Sequence, residues 1–144
     1  MKKYLKFLFV ALFATMTLSL ASCKDDKDEP SGGNYNIVGT WECTEGLLVN
    51  IMEGSELYIQ FQSDGTVRQV TIVPSHFPGE KPSIDKIIGK WEVKDGTLRL
   101  SGSEALTTNC KIIKVSGDYL ELDMMSYVHK FIKVSDSVVD KYFK

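Results

Sequence analysis

The 144 residues, a quarter of them charged, carry a formal net charge of −2. That is one domain's worth of chain, large enough for a single hydrophobic core. The balance is mildly acidic with no basic stripe. This argues against nucleic acid as a partner, because phosphates are bound through clustered Lys and Arg.

The N-terminus reads first as a leader. Lys2, Lys3 and Lys6 precede an uncharged apolar run from Phe7 to Leu20. A membrane-spanning helix needs about 20 apolar residues, so this run suits the core of a signal peptide instead. It ends in Leu20-Ala21-Ser22-Cys23. That tetrad resembles a bacterial lipobox, which implies cleavage before Cys23, a diacylglycerol on its thiol and an acyl (palmitate-type) anchor. The other reading is an ordinary secretory signal that ends beside a cysteine. One acyl chain binds a membrane only marginally, whereas two or three hold the protein there.

Lys24 to Gly33 is charged and rich in Pro and Gly. Such sequence buries too little surface to fold and reads as a tether. Its Asp25, Asp26, Asp28 and Glu29 resemble the surface-export signal of lipoproteins from some gut-dwelling Gram-negative bacteria. The alternative is a solvated spacer. The spacing lacks the Gly turn and distal Glu of a calcium loop. The expected layout is a signal peptide at 1–22, a lipidated Cys and acidic tether at 23–35, and a folded domain at 36–144. Removing the three leader lysines leaves 14 basic residues against 19 acidic ones, a net −5.

The domain alternates with period two. Leu57, Ile59 and Phe61 share one face, and Tyr58, Gln60 and Gln62 the other. Leu98 and Leu100 oppose Thr97, Arg99 and Ser101; Leu120, Leu122 and Met124 oppose Tyr119, Glu121 and Asp123. This predicts strands with one wet face. Ser63-Asp64-Gly65-Thr66, Lys94-Asp95-Gly96-Thr97 and Ser116-Gly117-Asp118-Tyr119 supply the positive-φ residues of tight hairpins. Short strands joined by hairpins predict an all-β sandwich or barrel. Ser135 to Lys144 reads equally as a short helix or a frayed end, with Val138, Val139, Tyr142 and Phe143 able to share one side.

Ile37-Val38-Gly39-Thr40-Trp41 is echoed fifty residues on by Ile87-Ile88-Gly89-Lys90-Trp91. Glycine lets a strand bend or approach another backbone, and a Trp two positions later returns to the same face. The Gly39-Thr40-Trp41 strand resembles the opening strand of lipocalins, and more closely the short lipocalin-like domains of bacterial outer-membrane and surface lipoproteins. The Phe61-to-Thr66 hairpin, Gly89-Lys90-Trp91, Gly96-to-Leu100 and a closing strand from Tyr127 to Val134 extend the resemblance over 36–135. It implies a single antiparallel up-and-down β-barrel of about eight strands. It further implies a small hydrophobic ligand in a cavity lined by Trp41, Phe61, Trp91, Leu98, Leu100, Leu120 and Leu122. Lipocalins place an arginine across the first-strand Trp; here Lys130 and Lys133 are the cations available.

No catalytic motif or zinc spacing is found, and neither an enzyme nor a cofactor is expected. Glu42 and Glu92 adjoin the tryptophans but face outward by strand parity. His129 alternates with Tyr127 and Phe131; it reads as a polar group in a cavity or as a satisfied core histidine. Three of the four prolines fall in the segment from Val73 to Asp85. A long loop there presents Phe77 either to a ligand or partner, or as a plug on the barrel mouth. Cys43 and Cys110 read as a disulfide or, in preference, as two buried thiols. The function implied is a lipid-anchored envelope lipoprotein that binds a small hydrophobic ligand, with a solid-barrel interaction module as the alternative.

Overall fold

In the computed structural model, which describes residues 35–144, eight strands pair in strict chain order and β1 closes on β8. They are β1 (Gly39–Glu45), β2 (Glu56–Phe61), β3 (Thr66–Val73), β4 (Ser83–Lys94), β5 (Thr97–Ser101), β6 (Thr108–Ser116), β7 (Tyr119–Met124) and β8 (Tyr127–Val134). Every pairing is antiparallel. The fold is therefore the expected all-β up-and-down barrel of eight strands. Closure gives every strand a neighbour on both sides, although residues 83–89 of the long β4 pair with β3 alone.

The turn chemistry sorts the two ends. The three hairpins carrying Asp and Gly all lie at one end, together with the incoming chain at Tyr35–Val38. Asp95 and Gly96 both take positive φ, at 51° and 70°. In the β2–β3 hairpin, Asp64 accepts a 2.8 Å bond from the Thr66 backbone N–H, which with the Thr66 hydroxyl holds its carboxyl below the usual range. The longer connections gather at the opposite, open end. They comprise a short helix α1 (Leu47–Ile51), the 74–82 loop and a 3₁₀ turn (Glu104–Leu106), joined there by the two-residue Met125-Ser126 turn.

The proline-rich loop is shorter than the sequence suggests. Ser83, Ile84 and Asp85 already belong to β4, opposite Val73, Ile72 and Thr71. β-propensity and a ready partner strand outweigh the prolines just before them.

The core fills the closed end and the waist. Trp41, Ile59, Phe61, Val67, Leu98, Ile112, Leu120, Leu122 and Phe131 are at most 1% exposed. The Trp41 indole N–H donates to the Ile37 carbonyl at 2.8 Å, tying the floor to the entry segment. Trp91 is only half-buried. Its ring stands edge-on to Phe61 at 5.4 Å, and its N–H donates to the Gln62 carbonyl at 2.9 Å. The two tryptophans thus share the closed end but not the same burial.

The wet face expected for β2 is not wet. Tyr58 and Gln60 are buried, because the C-terminal tail folds back over the outside of β2 and β3. Within it, α2 (Ser137–Asp140) seats a fully buried Val139 against Tyr58 and Val70, flanked by Val138, Tyr142 and Phe143. Gln60 donates to Asp140 at 3.1 Å, Thr40 donates to Asp136 at 2.7 Å, and Arg68 lies 3.5 Å from Asp140. The tail is a docked short helix rather than a frayed end.

Candidate functional site

At the open end the close-packed interior gives way to a cavity of about 400 Å³. That lies within the size range of small-molecule sites, roughly 300–1,000 Å³. Its walls come from six parts of the chain. Leu47 and Leu48 of α1 and Leu57 of β2 form an apolar side, continued by Leu106 of the 3₁₀ turn. Met124 and Met125 close another side. Gln69 and Thr71, inward on β3, face them with Thr107 and Thr108. Glu104 stands among the lining residues in the 3₁₀ turn, and His129 of β8 completes the wall.

His129 is 5% exposed and holds α1 in place. Its Nε2 accepts the Leu47 backbone N–H at 3.3 Å, so that nitrogen carries no proton. Nδ1 therefore bears the hydrogen and donates to the Tyr127 carbonyl at 3.0 Å. Gly46 permits this docking: a Cβ there would run into His129 Cδ2 and stand 2.9 Å from Cys43 Sγ. Asn50 of α1 donates to the Tyr127 hydroxyl at 3.0 Å, a second tie across the mouth.

Cys43 and Cys110 are both free and buried. Burial pushes each thiol up to about 11, so both stay protonated at neutral pH and act as small apolar groups. Among the described residues, no group of His, Cys, Asp and Glu is arranged to hold a metal ion.

The sequence-derived candidates scatter. His129 lines the cavity. Trp41, Phe61, Leu98, Leu100, Leu120 and Leu122 lie below it in the core, and Trp91 packs against that core from the closed end. Phe77 is 69% exposed at the 74–82 loop, turned out to solvent rather than folded onto the mouth, and no residue of that loop lines the cavity. Cys23 and the tether as far as Asn34 lie outside the described residues.

Sequence reasoning missed Gln69 and Thr71. The signal was present: two polar residues fall on the inward parity of β3, above an inward Val67. It also missed the Met124-Met125-Ser126 turn, which has neither Gly nor Asn although Met125 and Ser126 take φ of 55° and 63°. Such a backbone normally selects Asn-Gly. Strain of this kind collects at binding sites.

No protein-family model matches this chain, and no curated protein matches it.

Proposed function

We propose that this chain is a lipid-anchored lipoprotein of the outer membrane, exposed at the cell surface, whose lipocalin-like barrel binds a small hydrophobic ligand at its open end. The observation that carries the binding half is the mouth cavity: about 400 Å³, walled by leucines and methionines and furnished with a few convergent polar groups. The Trp41 floor and the packed waist limit the ligand to the upper part of the barrel. The anchoring half rests on the leader and Cys23. In this reading the tether joins the domain at its closed end, so the mouth faces away from the membrane. No catalytic role is proposed.

A second reading has its own support. Leu47, Ile51, Phe77 and Met125 are exposed apolar side chains on three of the four open-end connections. They suit an interaction module that grips a protein rather than a small molecule.

Native mass spectrometry of the protein extracted from its own membrane separates the two. A co-purifying mass of a few hundred daltons, lost when Met124 and Leu57 are replaced by Trp to fill the mouth, supports the carrier. A protein with no adduct, captured together with a second polypeptide, supports the module. For the anchor, metabolic fatty-acid labelling should mark the native protein and not Cys23→Ala. Persistent label on the variant overturns it. Alanine at Asp25, Asp26, Asp28 and Glu29 should keep the label and lower protease accessibility on whole cells.

A further inference from the structure

We infer that the ligand of the mouth cavity has an uncharged or cationic polar end, and that the site rejects free carboxylates. The inference rests on the carrier reading above and narrows it to a ligand class. A carboxylate taken into a partly desolvated cavity needs a cation or several free donors. The described lining residues include no Lys and no Arg. His129 cannot stand in for one: Nε2 is occupied by the Leu47 N–H, and the Nδ1 proton is committed to Tyr127.

What the lining does offer is neutral or negative. Gln69 turns its amide nitrogen towards the Thr71 hydroxyl at 3.4 Å, which leaves its carbonyl oxygen as an acceptor. Thr107 already donates its hydroxyl proton to the Ser103 carbonyl at 2.8 Å, so its oxygen too is left to accept. Glu104 is exposed at the rim and has no ion pair among the described residues. The open-end connections carry Glu53, Glu80 and Glu104 against the single Lys81. The donors left are the neutral Thr71 and Thr108 hydroxyls; set among acceptors and carboxylates around an apolar pocket, they suit a hydroxyl, an amide or an ammonium group. The carboxylates repel an anion.

The test titrates the purified full-length protein by calorimetry at neutral pH and low salt with decanol below its solubility limit and with decyltrimethylammonium and decanoate below their critical micelle concentrations. The alcohol and the cation should bind at least about tenfold more tightly than decanoate, since the anion alone is desolvated without a partner. Decanoate binding as tightly as decanol overturns the inference and leaves the carrier reading standing. Binding of none of the three overturns the carrier reading and this inference together. Glu104→Gln should weaken decyltrimethylammonium binding more than decanol binding and remove any advantage of the cation over the alcohol. An advantage that survives the substitution overturns the role given to Glu104.

Discussion

The Lys133 ammonium lies 5.5 Å from the centroid of the Trp41 ring, and Gly39 is what lets it arrive there. A Cβ at position 39 would stand 2.7 Å from Lys133 Cε, and Gly39 itself takes φ of 130°. The glycine of Gly39-Thr40-Trp41 is thus required twice, by backbone conformation and by the lysine stem. Lys133 sets a point charge, not a guanidinium plane, against the Trp41 ring.

Gly39→Ala should therefore destabilise the barrel by roughly 1–3 kcal/mol in urea melts. Lys133→Ala should cost about 0.5–1 kcal/mol, the range of an exposed cation–ring contact. A Gly39→Ala effect no larger than that of Lys133→Ala would show that the backbone conformation carries no strain for alanine.

The second Gly-x-Trp follows different physics. At Gly89 a Cβ would stand 2.5 Å from the Ser101 carbonyl oxygen, so strand-to-strand approach, not a lysine, demands the glycine. The rings differ as well. Trp41→Ala should cost about 3–5 kcal/mol, as for deletion of a fully buried aromatic. Trp91→Ala, at a half-exposed site, should cost roughly 2 kcal/mol. Glu42→Ala and Glu92→Ala should stay within about 0.5 kcal/mol. Equal losses for the two tryptophans in chemical denaturation would contradict their unequal burial.

How much of this was legible in the sequence follows from how local each determinant is. Alternation in Leu98-Arg99-Leu100 and Leu120-Glu121-Leu122, with Asp-Gly turns between strands, announced short antiparallel strands of a sandwich or barrel; the choice of a barrel came from the resemblance at Gly39-Thr40-Trp41. Those signals act within a hairpin. The burial of Tyr58 and Gln60 depends on Val139, some eighty residues later, and no local pattern reports it. The mouth cavity depends on three connections meeting in space, whereas the large apolar residues read as ligand contacts lie in the packed core below it.

The docked tail makes its own prediction. Val139→Ala should cost about 1–3 kcal/mol although it lies in a four-residue helix near the C-terminus. Truncation before Asp136 should cost more, because it also strips the partners of Thr40, Gln60 and Arg68. Hydrogen exchange at β2 should rise in both variants and remain unchanged at β6. Unaltered stability on truncation would show that the tail does not hold the outer face of β2.

The buried thiols give a pH dependence. With Cys43 and Cys110 pushed up from 9.0 to about 11, only about one thiol in a thousand is ionised at pH 8 in the folded protein. Alkylation by iodoacetamide should be at least about a hundredfold slower than in urea, through ionisation alone. On unfolding both thiols return to 9.0, so the unfolded state holds fewer protons above that pH. Their contribution to stability is complete below pH 9 and is lost as pH rises towards 11. Rapid labelling of either cysteine in the native state at pH 8 would contradict this burial.

The turn between β7 and β8 separates stability from binding. Met125 is 75% exposed and takes a left-handed backbone that a long side chain disfavours, as does Ser126 beside it. Replacing Met125-Ser126 by Asn-Gly supplies the residues that such a two-residue hairpin prefers. The change should stabilise the barrel by about 1–2 kcal/mol. The same change removes a polarisable side chain from the cavity rim, where methionine adapts to ligands of varied shape. Decanol affinity should therefore fall as the melting temperature climbs. A variant that gains stability and keeps full affinity would show that Met125 takes no part in binding, and a variant that gains no stability would show that the turn was not strained.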